Sequence, residues 1–242
     1  MLTDEQLAMR RSGVGASEAA AVLGLPSYLS PLDVWLAKVE GVQREDTAAL
    51  RRGRVLEAAV AQLYAEETGA ELRECGTVRH PSSAVLLATP DRMATLAGQT
   101  YPLEIKTVRG PMRHQYGEPG TDEVPQQYLV QVAVQMACCG REVAELAALI
   151  GGDDLRVYRF QRDLELEGGI LEGVERWWRD YVVTRTPPPV DGSGAWAERL
   201  AHLPRRGITI AATHEMREAA ERLREAKRMV KHAAETERQA RS

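Results

Sequence analysis

Residues 124–137 restrict the fold of this chain most, because they form a helix-length run without a charged side chain. Most of the run is apolar. Gln127, Gln131 and Gln135 recur every fourth residue and therefore lie along one line of a helix. We expect a buried helix whose glutamine line faces a partly enclosed polar site. The alternative is a core helix whose glutamines fill a narrow exposed seam.

The rest of the pattern predicts a mixed α and β fold. Helix start and stop signals predict four N-terminal helices. The first begins at Thr3-Asp4-Glu5-Gln6, the second is capped by Ser17, and the third begins at Ser30-Pro31. The fourth covers residues 48–68 and ends at Gly69. Strand-like segments follow at 71–78, 85–93 and 101–108, and beyond the apolar helix come strands 142–149 and 155–161 and a helix over 164–183. This order predicts an α/β (α+β) class: helices first, then a mixed sheet with one inserted helix.

The chain changes character at Pro187-Pro188-Pro189, which a Gly/Ser stretch follows. Such a segment cannot continue a helix and indicates a linker. We therefore predict a domain over 1–186, a linker over 187–212 and a charged helix over 213–242. The apolar stripe of this last helix, from Met216 to Ala233, favours docking on its own chain or on a partner, with a coiled coil as the alternative.

Composition excludes several classes of protein. The 242 residues are 44% hydrophobic and 27% charged, which suits a buried core and not a disordered chain. The sequence has no run of about 18 apolar residues and no signal-peptide pattern at its start, so we expect a cytoplasmic protein without a membrane partner. Its three cysteines, Cys75, Cys138 and Cys139, have no spacing for a disulfide framework, a zinc site or an iron–sulfur cluster. The net charge of −4 does not by itself indicate a nucleic-acid ligand.

The segment most informative about chemistry joins Thr89-Pro90-Asp91 to Glu104-Ile105-Lys106. On a strand, Glu104 and Lys106 share one face and Ile105 points to the other. If the strands before and after residue 98 pair as a hairpin, Asp91 comes near that face. Two converging carboxylates suit Mg²⁺ or Mn²⁺, and a nearby lysine can position a water molecule. The alternative is a solvated strand edge with alternating charges.

Other charged residues flank this segment. Glu57 lies at the border of the apolar stripe of its helix, where it is either a third oxygen ligand or a salt-bridged border residue. The sequence Arg10-Arg11-Ser12-Gly13-Val14-Gly15-Ala16-Ser17 combines arginines with a helix start, which is a plausible anion pocket. Further basic residues, each of which alone is also typical of a solvated face, are Arg51, Arg52, Arg54, Arg109 and Arg113.

These segments together resemble the phage lambda-exonuclease group, the YqaJ-like viral recombinases of the PD-(D/E)xK nuclease superfamily, over residues 8–183. The matching segments are residues 10–18, Gly53-Arg54-Val55-Leu56-Glu57, Thr68-Gly69, Thr89-Pro90-Asp91, Leu103-Glu104-Ile105-Lys106-Thr107 and Tyr128-Leu129-Val130-Gln131. The resemblance implies a restriction-endonuclease-like core, a mixed central sheet flanked by helices. Residues 110–120 depart from it, because they read as a loop where the family often has a short helical piece.

The resemblance also implies roles for single residues. The metal ligands would be Glu57, Asp91, Glu104 and the carbonyl group of Ile105. Lys106 would orient or activate the attacking water, and Gln131 would support the site from its helix. The 5′-phosphate of the degraded strand would be bound by Arg10 or Arg11, Ser17 and Thr89. Along the DNA backbone we expect contacts from Arg51, Arg52, Arg54 and Arg109.

The activity implied by the resemblance is that of a deoxyribonuclease. Such enzymes degrade one strand of linear double-stranded DNA from the 5′ end and leave 3′ overhangs for a single-strand annealing partner in recombination. The cofactor would be Mg²⁺ or Mn²⁺, the assembly a homo-oligomer such as a trimer, and the setting a bacterial cytoplasm with a phage or prophage gene. The alternatives are a nicking or site-specific endonuclease and a non-catalytic scaffold that binds DNA ends.

Overall fold

A computed structural model of the protein describes residues 4–42, 46–202 and 211–240. Its helices are α1 (Asp4–Arg11), α2 (Ala16–Val22), α3 (Pro31–Trp35), α4 (Ala48–Thr68), α5 (Gln126–Cys139), α6 (Leu164–Trp177), α7 (Gly194–His202) and α8 (His214–Ala240). π-helical turns at Leu36–Glu40 and Trp178–Val183 continue α3 and α6. The strands are β1 (Val14–Gly15), β2 (Glu71–Arg73), β3 (Val78–Arg79), β4 (Leu86–Ala88), β5 (Arg92–Leu96), β6 (Gln99–Val108), β7 (Val143–Ile150) and β8 (Asp154–Gln161).

In these ranges the strands form two mixed sheets. The smaller sheet has the order β1-β4-β3, with β1 parallel and β3 antiparallel to β4. The larger sheet has the order β2-β5-β6-β7-β8, in which only the β6–β7 pair is parallel. The helices cover both faces of the larger sheet, and this arrangement confirms the predicted α+β class with a mixed sheet.

Helix α5 occupies the centre of the domain, as its apolar sequence predicted. Val130 and Val134 pack with α2, β4 and α6, whereas Val132 and Met136 pack with β7 and β8. Helix α4 covers the opposite face of the larger sheet, where Tyr64 packs with the odd-numbered residues of β6. The two helices thus enclose the strand that carries the candidate catalytic residues.

Several predicted element boundaries agree with the structure. Helix α4 has the predicted bounds and ends at Gly69, whose φ of +73° is the left-handed conformation that glycine adopts most easily. Ser30 caps α3 by accepting a hydrogen bond from the Asp33 amide at 3.2 Å. The β5–β6 hairpin turns at Ala97-Gly98.

Other boundaries differ, each for a local reason. The predicted strand 85–93 is two strands in different sheets, because Pro90 has no N–H group for a ladder. The predicted strand 71–78 likewise divides between the sheets, as β2 and the first residue of β3. Ser17 does not cap α2: the N-cap is Gly15, whose amide donates to Glu18 Oε2 at 2.7 Å. Gly110–Gln115, predicted as a loop, forms a 3-10 helical turn.

The chain divides by its contacts into two units, residues 1–198 and 199–242. Helix α7, which the sequence analysis did not predict, begins inside the segment 187–212, and Trp196 on it is buried in the same cluster as α2 and α6. In the second unit, α8 matches the predicted helix, and Thr213 accepts a hydrogen bond from the Met216 amide at 3.2 Å. None of the helices in the described ranges combines the length and the apolar composition needed to cross a membrane.

Candidate active site

The β5–β6 hairpin brings Asp91 to the strand that carries Glu104 and Lys106. Arg92 pairs with Leu103, so the residue before β5 lies beside Glu104. Asp91 Oδ2 accepts a hydrogen bond from the Ile105 amide at 2.8 Å. The two strands therefore pair as a hairpin, and Asp91 lies near Glu104 as the sequence analysis expected for that case.

The alternating geometry of β6 separates its side chains as predicted. Leu103 and Ile105 pack against α4, whereas Glu104 is directed to the glutamines of α5. Glu104 is only 2% exposed, which rules out a solvated strand edge at this position. Glu104 and the Lys106 ammonium group form an ion pair on the α5 side.

Two glutamines of the predicted line hold the Glu104 carboxylate. Gln131 Nε2 donates to Oε1 at 2.6 Å, and Gln135 Nε2 donates to Oε2 at 2.5 Å. Both glutamines are buried, so the line faces an enclosed polar site and not an exposed seam. Gln135 is a site residue that the sequence analysis left without a role, although its place in the line was a sufficient signal.

The electrostatics of the cluster follow from the burial of two acidic groups beside one cation. Burial and the negative charge of Glu104 raise the pKa of Asp91 to about 8, and the Lys106 charge only partly opposes them. Burial alone would lower the pKa of Lys106, but Glu104 and Asp91 outweigh it and raise this pKa, so the amine stays protonated. Lys106 Nζ also lies 5.1 Å from the centre of the Tyr128 ring, a cation–π distance.

The Asp91 and Glu104 pair fits a divalent cation by its chemistry. Two carboxylates whose repulsion raises a pKa are relieved by a positive ion, and oxygen donors are those that Mg²⁺ and Mn²⁺ prefer. Within the described part of the chain, no three Asp, Glu, His or Cys side chains are grouped closely enough to hold a metal ion. The pair fits, and a third carboxylate ligand stays a prediction.

Glu57 forms an ion pair with Arg92, a residue that the sequence analysis missed. Arg92 Nη1 lies 2.9 Å from Glu57 Oε1 and also donates to the Asp91 carbonyl oxygen at 2.5 Å. Glu57 belongs to α4, which covers the sheet face opposite to the Glu104 side chain. Its negative charge nevertheless contributes to the raised pKa of Asp91. This is the salt-bridged arrangement that the sequence analysis held as the alternative for Glu57.

Two of the residues predicted to bind a 5′-phosphate, Ser17 and Thr89, lie at one end of the smaller sheet. Thr89 follows β4, and Ser17 lies just after β1, which runs parallel to β4, so both lie where these strands end. Both side chains are exposed. Thr89 Oγ1 lies 2.9 Å from the hydroxyl group of Thr77, a residue with no role in the sequence analysis.

Arg10 and Arg11 differ in their surroundings. Arg11 Nη2 donates to the Gly41 carbonyl oxygen at 3.4 Å. The Arg10 carbonyl oxygen accepts from Lys38 Nζ at 2.7 Å, and the same ammonium group pairs with Glu18 at 2.6 Å, next to Ser17. The Arg10 backbone is thereby held close to the start of α2.

The arginines predicted to follow the DNA backbone are exposed, namely Arg51, Arg52, Arg54 and Arg109. Arg54 Nη2 contacts both Asp46 carboxylate oxygens, at 2.8 and 2.7 Å, and Arg51 donates to the Asp46 carbonyl oxygen at 2.7 Å. Asp46 therefore offsets part of the positive charge of this cluster.

Comparison with known proteins identifies the family of the chain. The model of the YqaJ-like viral recombinase domain matches residues 5–142. The uncharacterized protein YqaJ of Bacillus subtilis (strain 168) is 34% identical over 205 residues, which are 83% of this chain and 63% of that protein. The chain thus spans less than two thirds of this relative.

Solved structures share the fold. An alkaline exonuclease (LHK-Exo) from Laribacter hongkongensis matches with a TM-score of 0.60, 24% identity and coverage of 82% of this chain and 98% of that one. Its complex with dAMP matches with a TM-score of 0.61 at the same identity and coverage. A phage-related exonuclease from Haemophilus somnus 129PT matches with a TM-score of 0.56 and 13% identity over 72% of this chain and 96% of that one. The chain, with the fold of these exonucleases and a sequence match over residues 5–142, belongs to the YqaJ-like viral recombinase domain family.

Proposed function

We propose that the protein is a metal-dependent deoxyribonuclease that degrades one strand of linear double-stranded DNA in the 5′→3′ direction. The 3′ overhangs left behind would serve phage-type recombination by strand annealing. The observation that carries this proposal is the buried cluster in which Asp91, Glu104 and Lys106 meet at the β5–β6 hairpin. The family of the chain and its structural similarity to an alkaline exonuclease support a nuclease.

Asp91 and Glu104 would hold Mg²⁺ or Mn²⁺, together with the Ile105 carbonyl oxygen. Glu57 would join them in exchange for its ion pair with Arg92. A divalent cation bound here would lower the pKa of a coordinated water molecule and stabilise the negative charge on the phosphate. Gln131 and Gln135 support this arrangement, because each fixes one oxygen of Glu104.

Lys106 has two tasks in this proposal. A lysine side chain is an ammonium group at neutral pH, so Lys106 donates hydrogen bonds. From its place beside Glu104 it would orient the attacking water and offset the negative charge that develops on the scissile phosphate.

End recognition would come from the smaller sheet. Of the two candidate arginines we assign Arg10 to the 5′-phosphate together with Ser17 and Thr89, because the guanidinium group of Arg11 contacts Gly41. The DNA backbone would be contacted by four exposed arginines: Arg51, Arg52, Arg54 and Arg109. We further propose a homo-oligomer, such as a trimer, and a single-strand annealing protein as partner.

The test is digestion of three DNA substrates by the wild type and the Lys106→Ala variant. The substrates are linear duplex with a 5′-phosphate, linear duplex with a 5′-hydroxyl group and closed circular duplex, each with Mg²⁺, with Mn²⁺ and with EDTA. We expect loss of the 5′-phosphorylated strand with either metal, intact circles, and no cleavage in EDTA or by Lys106→Ala.

Each other outcome selects a different function. Cut circles would show an endonuclease on the same fold. Binding of DNA ends without digestion of any substrate would show a scaffold and would refute the catalytic roles. Cleavage that persists in EDTA would refute the metal-dependent mechanism.

A further inference from the structure

A pair of threonine hydroxyl groups lies at the end of the smaller sheet. Thr77 comes directly before β3 and Thr89 directly after β4. The antiparallel register pairs Val78 with Ala88, so the next positions outward, Thr77 and Thr89, stand opposite each other. Their Oγ1 atoms are 2.9 Å apart, which is a hydrogen bond.

The hydrogen bonding of such a pair is directional. Each hydroxyl group has one proton, so when one threonine donates to the other, only the acceptor's proton remains available for a third group. An anion beside Thr89 favours the order in which Thr77 donates to Thr89 and Thr89 donates to the anion. Hydrogen bonds in such a chain strengthen one another, and those to a charged acceptor are the stronger ones.

The same chain contains a matched pair away from the site. Thr95 and Thr100 face each other across the β5–β6 hairpin, and their Oγ1 atoms are also 2.9 Å apart. They lie next to the turn at Ala97-Gly98, at the opposite end of β5 from Asp91. A cross-strand threonine pair stabilises the sheet by itself, and a substitution in this second pair measures that structural contribution alone.

We propose that Thr77 is a positioning residue for a terminal phosphate monoester: it donates to Thr89 and thereby directs the Thr89 hydroxyl proton toward the phosphate of a 5′ end. The inference rests on the proposed function, in which Thr89 contacts that phosphate. It adds the residue that precedes β3 to a pocket otherwise drawn from the segments around β1 and β4. Thr77 itself need not touch the DNA.

The experiment compares the wild type with Thr77→Val, Thr77→Ser and the control Thr95→Val. KM and kcat are measured on linear duplexes that carry either a 5′-phosphate or a 5′-hydroxyl group. Equilibrium binding of both duplexes is measured by fluorescence anisotropy in EDTA, where we expect no cleavage. Thermal unfolding of each variant is recorded alongside.

We expect Thr77→Val to raise KM and Kd for the 5′-phosphorylated duplex about fivefold, the equivalent of one net hydrogen bond. Its kcat, and its binding of the 5′-hydroxyl duplex, should not change. Thr77→Ser should restore the phosphate preference. Thr95→Val should leave binding of both duplexes unchanged, although its unfolding temperature falls about as much as that of Thr77→Val.

Two results would overturn the inference: an equal effect of Thr77→Val on both duplexes, or a wild type that binds both with the same Kd. If the wild type prefers the 5′-phosphate and Thr77→Val removes that preference while no variant cleaves DNA, the inference holds and the proposed nuclease function fails.

Discussion

Replacing Gln135 by leucine isolates the hydrogen bond that helix α5 gives to Glu104 Oε2. The bond is 2.5 Å long and lies between two buried side chains. A hydrogen bond to a charged group contributes about 1.5–3 kcal/mol, and leucine, which is close in size, returns part of this by removing a desolvated amide. We therefore expect the free energy of unfolding to fall by about 1–2 kcal/mol, and the melting temperature by about 2–8 °C for a protein of this size.

The matched control is Gln62→Leu on the exposed surface of α4. Gln62 Nε2 donates to Glu66 Oε1 at 2.8 Å, which is the same kind of bond one helical turn apart and in water. Such a pair contributes about 0.2–0.5 kcal/mol. Urea unfolding followed by circular dichroism measures the free energy of unfolding of both variants, provided that the m value does not change. A loss for Gln135→Leu no larger than that for Gln62→Leu would refute a Glu104 carboxylate held from α5.

Two further predictions concern buried or paired carboxylates. Glu104→Gln should lower kcat for DNA digestion at least about a hundredfold, whereas Glu145→Gln, at a buried carboxylate of the neighbouring strand, should stay near wild type; equal losses would contradict the assignment of Glu104. Hydrogen bonds from Arg162 lower the pKa of Glu167 from its usual 4.5, although burial opposes this shift. The pair therefore stabilises the fold fully above pH 4.5, and the stabilisation is lost as the pH falls through the lowered pKa of Glu167. Arg162→Gln should therefore destabilise the protein at pH 6 by up to about 1 kcal/mol and at pH 3 by almost nothing, and equal losses at both values in urea unfolding would contradict the pairing.

The parts of the site that the sequence predicted depend on short-range geometry. Glu104 and Lys106 share a face because the side-chain period of a strand is two. Gln131 and Gln135 share a line because residues four apart are neighbours on a helix. A turn at Ala97-Gly98 then suffices to bring Asp91 to the same place. Local rules of this kind hold whatever the tertiary packing.

The parts that were missed or wrong depend on contacts between distant segments. Arg92 follows Asp91 directly, and nothing in its position indicates that it pairs with Glu57, which is 35 residues away. Ser17 was a reasonable N-cap by residue type, but the Glu18 carboxylate accepts a hydrogen bond from the Gly15 amide, so the helix begins two residues earlier than predicted. Thr77 has no local pattern at all, because only the register of β3 and β4 places it opposite Thr89.

Thr89, Pro90 and Asp91 explain why the two halves of the candidate site keep a fixed relation. Thr89 extends β4 of the smaller sheet, whereas Asp91 accepts from the Ile105 amide in the larger one. Pro90 between them is buried and cannot donate to a ladder, so strand pairing must stop and resume in the other sheet. The break that made the prediction of one strand over 85–93 wrong is therefore what joins the candidate phosphate residues to the candidate catalytic residues.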